Sequence, residues 1–192
     1  MPEDHCVDTG QVFGDFLFVV HQKESTVLNL ESMNIGSLWF GIGKTEVQSD
    51  SGLEFVIMLA IAKVEETTFR KDMFKSKRKP LEEIWIGEHY RSIAQIARFA
   101  PSACNTQPWI VESGERELKV YRYQKPGKRG IMPRDKVSWY NRIDIGIFLL
   151  ILEVCMEHEG LSFARMLMAD SREKEKTLVA VYAAKEKRPL GA

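Results

Sequence analysis

The chain has 192 residues, 44% hydrophobic and 28% charged, and its 27 basic and 27 acidic residues give a formal net charge of zero. Such a composition is typical of a globular protein with a substantial core, and balanced charge argues against a general nucleic-acid or membrane-surface role. The three cysteines are widely spaced and form no CxxC pair, which indicates reduced thiols and a cytoplasmic location. The polar, acidic N-terminus, MPEDHCVDTG, does not resemble a signal peptide.

The first half of the chain is predicted to contribute strands and one short helix. FGDFLFVV (13–20) is rich in aromatic and β-branched residues and predicts a strand. LNLESMN (28–34) predicts a short helical piece that runs into Gly36. LEFVIMLAIAKV (53–64) predicts a buried central strand over most of its length, because it is long and apolar. A charged connection is expected over 66–80.

The second half predicts a helix, a hairpin, a second helix and a second strand pair. HYRSIAQIARFA (89–100) predicts an amphipathic helix with an apolar face formed by Ile93, Ile96, Ala97 and Ala100. WIVES and ELKVYRY flank Gly114 as a hairpin, and FARMLMA and TLVAVYAA pair on either side of the charged turn DSREKEK. These elements predict an α+β protein with mixed or antiparallel sheets packed on helices.

One segment, IGIFLLILEVCM (145–156), is apolar around nearly the whole helical circumference. Twelve helical residues extend about 18 Å, which is too short to span a bilayer core of about 30 Å. The segment therefore predicts a helix wrapped by other elements or by a partner subunit. We expect it to be the central helix of the fold, starting near Tyr140 and ending at Gly160, a suitable C-cap residue.

A polar loop, APSACNTQPW (100–109), follows the predicted end of the first of these helices. Pro101 stops the helix, and Ser102 and Asn105 offer short hydrogen-bonding groups of the kind that contact ligands from loops. Taken alone, the loop is equally consistent with turn capping by these residues and a core position for Trp109. GSLWFG (36–41) is also ambiguous, because its glycines suit either close backbone approach to a flat ligand or a strand or turn.

The order of these motifs resembles the FMN-dependent nitroreductase superfamily. A helix ends in APSACNTQPW, a hairpin follows, and NRIDIGIFLLILEVCMEHEG comes next; NIGSLWFGIGK, LEFVIMLAIAKV and FKSKRKPLEEI fit the same pattern. The resemblance, over 13–184, is to a subfamily in which one chain carries two half-domains and mimics the usual dimer. It implies a nitroreductase-like fold around a central buried helix, with intertwined halves at 13–80 and 81–184 that share one site. Such a pseudo-dimer would be a monomer or a homodimer.

The resemblance also implies a set of FMN-binding residues. In the loop they are Ser102, Asn105 and Gln107. In the glycine-containing segment they are Gly36, Ser37, Trp39 and Gly41, where backbone amides would lie near the redox-active edge of the flavin.

The basic run FRKDMFKSKRK (69–79) carries six positive charges against one negative. A phosphate dianion in a partly dry pocket needs a cationic partner, and arginine suits bidentate phosphate contacts. We therefore expect Arg78, helped by Lys75 or Lys79, to bind the FMN phosphate. The alternative is that the run is only a solvated face.

The N-terminal segment departs from the superfamily pattern. Members open with an Arg-Arg-Ser helix whose side chains bind the phosphate, whereas residues 1–12 contain no arginine. The departure predicts either a fragment or short variant, or a weakened flavin site.

The chain shows no rival catalytic or metal-binding pattern. Its four histidines lack HExxH spacing, and neither Ser102 nor Cys104 lies in the context of a known nucleophile. Asp144 is expected to bond backbone or pair with Arg142, and Glu153 to be exposed or paired. We therefore expect no catalytic side chain and no metal, since the flavin supplies the chemistry.

The resemblance implies an oxidoreductase that moves electrons from NAD(P)H through FMN to nitroaromatic or quinone acceptors. The alternative is a flavin-degenerate or flavin-sequestering protein without turnover, which the absent arginines favour. A structural partner protein is a third possibility, supported only by the apolar helix.

Overall fold

The computed structural model describes residues 35–40, 58–63, 65, 77–123, 132–168 and 175–184. These residues fall into two compact units, one within Phe16–Lys75 and the other within Ser76–Ala192. The elements predicted at 13–20 and 28–34, and most of the predicted connection at 66–80, lie outside the described residues. The nitroreductase-like halves at 13–80 and 81–184 stay a prediction.

The described part of the first unit is a two-stranded antiparallel sheet. Strand β1 is Ile35–Phe40 and strand β2 is Met58–Lys63, with Ile35 opposite Lys63 and Phe40 opposite Met58. The strand predicted over 53–64 is therefore confirmed over its second part. Ala62 and Lys63, at the end of this strand, are exposed, and the predicted burial of the rest of the strand stays a prediction.

The described part of the second unit contains three α-helices and a five-stranded sheet. Its elements in chain order are α1 (Leu81–Ile84), β3 (Trp85–Ile86), α2 (Arg91–Ala97), β4 (Trp109–Ser113), β5 (Glu117–Tyr123), α3 (Val137–His158), β6 (Phe163–Leu167) and β7 (Lys176–Ala184). The strand order is β3-β4-β5-β7-β6, in which β3 and β4 are parallel and all other neighbours are antiparallel. The sheet is therefore mixed, and the predicted α+β class is confirmed.

The two predicted strand pairs are present in this sheet. In the first hairpin Trp109 lies opposite Arg122, and the Gly114 amide donates to the Glu117 carbonyl at 2.8 Å across the turn. In the second pair Phe163 lies opposite Ala184. Alternation along β5 directs Leu118, Val120 and Arg122 inward, because successive side chains of a strand point to opposite faces.

Helix α2 is shorter than predicted, and its buried face is rotated. Ile93 and Ala97 are buried as expected, as is Ala100 just beyond the helix. Ile96, which was predicted to lie on the same face, is 41% exposed, and Ala94 is buried instead. A seven-residue helix presents only a narrow face to α3, against which it packs, so an apolar residue at the edge of that face remains outside.

Helix α3 is the longest element of the described chain. It begins at Val137, three residues before the predicted start, and ends at His158. Gly160 has a φ of +67°, and the Leu161 amide donates to the Met156 carbonyl at 2.9 Å, a Schellman-type end that confirms the predicted cap. No helix among the described residues is long and apolar enough to cross a membrane.

Helix α3 packs against the sheet to form the core of the second unit. Phe148 stacks on Trp109 of β4 with a ring-centroid distance of 4.6 Å, and Leu149 and Leu152 join the same cluster. Val120 of β5 and Tyr182 of β7 contribute from the sheet side. The helix is thus buried, as predicted, within this unit.

Candidate functional site

The loop between α2 and β4 adopts an unusual backbone. Ala103–Asn105 form a single 3-10 turn, and Cys104, Asn105 and Gln107 have positive φ values of 50°, 54° and 47°. Residues other than glycine rarely occupy this left-handed region, which costs on the order of 1–3 kcal/mol each and persists only where surrounding contacts enforce it. Left-handed residues of this kind concentrate at binding and catalytic sites.

Two hydrogen bonds, made by Ser102 and Asp144, hold this backbone in place. The Ser102 hydroxyl accepts a hydrogen bond from the Gln107 amide at 2.9 Å. The Asp144 carboxylate, on α3, accepts one from the Ala103 amide at 2.8 Å. Ser102 therefore closes the loop on itself, whereas Asp144 fixes it to the buried helix.

A second set of contacts joins the loop to the end of the basic run. The Gln107 side chain is only 3% exposed, and its oxygen accepts from the Lys79 amide at 2.8 Å. The Lys79 ammonium donates to the Gln107 carbonyl at 2.7 Å. The Gln107 side-chain nitrogen donates to the side-chain oxygen of Asn105 at 3.1 Å.

Asn105 and Arg78 meet at the centre of this network. The Arg78 guanidinium donates to the Asn105 side-chain oxygen at 3.0 Å and to the Phe99 carbonyl at 3.2 Å. The Asn105 side-chain nitrogen donates to the Lys77 carbonyl at 2.9 Å. Residues separated by 27 positions in the sequence are thereby brought together.

These residues line a cleft of about 420 Å³ on the second unit. Its lining consists of Lys77, Arg78, Lys79, Pro80, Glu83, Cys104, Asn105, Thr106 and Gln107. The volume lies within the usual range for small-molecule sites, roughly 300–1,000 Å³. The lining has no aromatic ring, so the cleft suits a polar ligand group and offers no flat apolar surface for a ring system.

The charges of the cleft favour an anion. Lys77, Arg78 and Lys79 supply three positive charges, and Glu83 supplies one negative charge. Guanidinium and ammonium groups form strong charge-assisted bonds to phosphate and carboxylate. The donor set therefore fits the phosphate and polar chain of a nucleotide-like cofactor such as FMN, whereas surfaces other than this lining must cover an isoalloxazine ring.

The Asp144 carboxyl beneath the loop has an altered acidity. Burial raises its pKa from 3.8 to about 7, although the hydrogen bonds from Ala103 and Thr106 act in the opposite direction. The side chain is 3% exposed and makes no ion pair with the described residues. The expected bond of Asp144 to backbone is confirmed, and the alternative pairing with Arg142 is absent from the described contacts.

Glu153, about two and a half turns farther along α3, belongs to a separate buried cluster. Its carboxylate accepts a hydrogen bond from the Tyr182 hydroxyl at 2.5 Å and pairs with Arg165 at 3.2 Å. Burial and the neighbouring Glu153 charge raise the pKa of Tyr182 well above its ordinary value. Glu153 is thus paired, which is one of the two alternatives expected for it, the other being exposure. It does not line the cleft.

The structure brings together five of the residues predicted to bind the cofactor. Arg78, Lys79, Asn105 and Gln107 line the cleft, and Ser102 supports its loop. Gly36, Ser37 and Trp39 lie in β1 of the first unit, whereas Gly41 and Lys75 lie outside the described residues. The assignment of all these residues to a cofactor site stays a prediction. Within the described ranges, no group of three or more potential ligands could hold a metal ion.

Sequence reasoning missed several members of the site. Lys77 lies within the basic run and Glu83 lies four residues beyond it, and their proximity to Arg78 in the sequence was the available signal. Thr106 lies inside the quoted loop motif, but no sequence pattern indicates that its hydroxyl approaches Asp144, at 3.4 Å. The left-handed backbone at Cys104 and Gln107 also had no signal, because neither position is a glycine.

Comparisons with known proteins give a family and a fold. Residues 19–156 match the family described as "Putative TM nitroreductase". The crystal structure of a protein from Thermotoga maritima, described as a "putative nitroreductase", is similar to this chain with a TM-score of 0.56 and 16% sequence identity. The similarity covers 89% of this chain and 64% of that protein, so the chain spans less than two thirds of its length. A search among curated proteins gave no match.

Proposed function

Because this chain belongs to the nitroreductase family that its residues 19–156 match, we propose that it is an FMN-dependent oxidoreductase. Its electron donor is NAD(P)H, and its acceptors are electron-poor compounds such as nitroaromatics and quinones. The observation that carries the proposal is the positive cleft in which Arg78 and Lys79 meet the strained loop of Asn105 and Gln107.

The charges of the cleft support a place for the cofactor phosphate. Arg78 and Lys79 are half-buried and Lys77 is exposed, so a dianion at this position would meet one exposed and two half-buried cations. Partial burial reduces solvent screening, which strengthens each charge-assisted bond. Arg78 is the principal phosphate ligand in this proposal, and Lys79 assists it.

The loop supplies neutral donors and acceptors beside these cations. The Asn105 side-chain amide lines the cleft. It suits ribityl hydroxyls, which can both donate and accept hydrogen bonds. Bound FMN supplies the redox chemistry by accepting a hydride and passing the electrons on, as flavins do. The residues of the chain bind and orient the cofactor and set the electrostatic field around it.

A flavin-degenerate or flavin-sequestering protein without turnover is the second candidate, and one observation favours a weakened flavin site. The Asn105 side chain bonds to Arg78, Gln107 and Lys77 at once, so ligand binding must replace contacts that already exist. The exchange weakens affinity because each new bond displaces an old one. Residues 1–12 also lack the arginines that resemblance to the superfamily leads one to expect.

A single purification tests both candidates. The protein is isolated, its absorbance is recorded at the flavin bands, and added FMN is titrated by quenching of flavin fluorescence. Bound protein is then mixed with NADH or NADPH and a nitroaromatic or quinone acceptor. Saturable FMN binding with acceptor-dependent oxidation of NAD(P)H supports the oxidoreductase. Binding without oxidation supports sequestration, and a protein that neither retains nor binds FMN contradicts both.

A further inference from the structure

Asp144 makes all of its described polar contacts with the loop of the cleft. One carboxyl oxygen accepts from the Ala103 amide at 2.8 Å, and the other lies 3.4 Å from the Thr106 hydroxyl. The two contacts flank Cys104 and Asn105, the left-handed residues of the 3-10 turn. The Asp144 side chain, on a buried helix, therefore contacts both ends of the strained turn.

The strained turn requires such an anchor. Three left-handed non-glycine residues within four positions would relax toward ordinary backbone conformations if their contacts were removed. Ser102 and Lys79 restrain the far end of the loop through Gln107. Within the described contacts, Asp144 is the side chain from outside the loop that restrains the Ala103 end, and α3 gives it a rigid base.

The hydrogen-bond inventory at Thr106 shows how the carboxyl fits this role. The Thr106 hydroxyl carries one proton, and the Ala103 carbonyl at 3.0 Å is its nearest acceptor. The hydroxyl also lies 3.4 Å from Oδ2 of Asp144 and 3.4 Å from Oδ1 of Asn141, both on α3, and these are more distant acceptors. The Asp144 carboxyl meanwhile accepts from the Ala103 amide at 2.8 Å, which is the shorter of its two contacts with the turn.

We propose that Asp144 is the positioning residue of the cofactor site, which holds the 103–106 turn from the buried helix so that Asn105 and Gln107 remain assembled with Arg78 and Lys79. Asp144 does not itself line the cleft. The inference rests on the proposed function only in naming FMN as the ligand whose affinity depends on the assembled loop.

Amide hydrogen exchange tests the positioning role without reference to any ligand. Asp144→Ala removes both contacts, Asp144→Leu fills the buried space without an acceptor, and Asp144→Asn keeps an oxygen for the Ala103 amide. Glu153→Gln is the matched control, because it neutralises a buried carboxylate on the same helix that contacts Tyr182 and Arg165 instead. Exchange is followed at 103–107 and, as an internal reference, along β5.

In Asp144→Ala and Asp144→Leu we expect exchange at 103–107 to accelerate about tenfold relative to β5, because a buried donor loses its acceptor. Asp144→Asn should recover most of the wild-type protection, and Glu153→Gln should leave the loop unchanged. The leucine variant keeps the test usable if the alanine variant does not fold. Unchanged loop exchange in both, or equal loosening by Glu153→Gln, would overturn the positioning role.

FMN titrations of the same variants test the link to the cofactor. We expect the dissociation constant to rise about tenfold in Asp144→Leu and to change less than about twofold in Asp144→Asn. A loosened loop with unchanged FMN affinity overturns the link between Asp144 and the cofactor. If wild-type protein binds no FMN, the proposed function fails, and the exchange data still decide whether Asp144 positions the loop.

Discussion

The Asp144 carboxyl lies in the interior of the second unit, where burial raises its pKa from 3.8 to about 7. Between these two values the folded protein retains a proton that the unfolded chain has already released. The free energy of unfolding therefore falls as pH rises through this window, and it levels off above about pH 7. This contribution has the opposite sign to that of a salt-bridged aspartate, whose pKa is lowered.

Asp144→Asn should remove this part of the pH dependence. We expect the stability of wild type relative to Asp144→Asn to decrease by a few kcal/mol between pH 5 and pH 8, since a raised carboxyl pKa disfavours the charged folded state. Urea denaturation of both proteins across this range measures the difference. Parallel stability curves for the two proteins would show that the carboxyl titrates normally.

Arg78 is the residue on which phosphate recognition is expected to depend. Arg78→Gln should weaken FMN binding by about 1.5–3 kcal/mol, because a charge-assisted bond to the phosphate is lost. Riboflavin lacks the phosphate and should lose less, through the contact of Arg78 with Asn105 alone. Titration of both ligands at low and moderate salt measures the difference.

Arg91→Gln provides the control for this experiment. Arg91 is an arginine of the same unit that pairs with Glu82 and Glu88 at 3.5 and 3.6 Å, and it does not line the cleft. Its replacement changes the net charge equally and should affect both ligands little. Equal losses for FMN and riboflavin in Arg78→Gln would place the phosphate elsewhere.

At the level of elements, Gly87 follows directly after β3 and lies close to the end of the neighbouring strand β4. Its φ is +102°, and an added Cβ would lie 2.3 Å from the Ser113 carbonyl oxygen and 2.7 Å from its hydroxyl. Gly87→Ala should therefore cost about 2–4 kcal/mol, the sum of an unfavourable backbone conformation and a clash with a fixed neighbouring strand. Urea unfolding monitored by tryptophan fluorescence measures the loss.

Gly160→Ala separates the two contributions. Gly160 also has a positive φ, +67°, but among the described residues no atom apart from its chain neighbours lies within 4 Å of the position that a Cβ would occupy. Its replacement should cost only about 1–2 kcal/mol, from the backbone conformation alone. If the two variants lose the same stability, the close approach of Ser113 to Gly87 does not constrain the strand.

Elements with a strong local pattern could be predicted from the sequence. The β4–β5 hairpin follows from alternation around Gly114, and the long apolar segment of α3 admits only a buried helix. Weak patterns failed. The two-residue strand β3 is too short to show alternation, and Ile96 lies at the edge of a helix face that tertiary packing alone defines.

The residue types of the candidate site could be predicted from the sequence, but the contacts among them could not. The polar loop and the basic run were each recognisable from residue types, and a positive charge near an anion is a general requirement. The pairing of Arg78 with Asn105 depends on how α1 packs on β3 and β4 and how α2 packs on α3, which no local pattern encodes. The anchoring by Asp144 depends on a contact across 41 positions.

On the scale of the whole molecule, zero net charge gives little long-range attraction for an anionic cofactor. Recognition must then come from the local excess of positive charge at 77–79. Screening lengths are about 8 Å at physiological ionic strength, so this local field acts mainly at contact distance. FMN affinity should consequently depend only moderately on salt, unlike that of a strongly basic protein.

Cofactor binding should stabilise the folded protein by mass action. A ligand that binds only the folded state adds about 2.7 kcal/mol when its free concentration is about one hundred times its dissociation constant. We expect FMN to raise the unfolding midpoint in a concentration-dependent way, riboflavin to do so less, and inorganic phosphate to do so weakly at the same molar concentration. Asp144→Leu should need about ten times more FMN for the same shift, because its loop is no longer held. Thermal unfolding across a series of FMN concentrations measures all four responses. A midpoint that is independent of FMN concentration would show that the cleft of Arg78 and Asn105 does not bind the cofactor, whatever its charge.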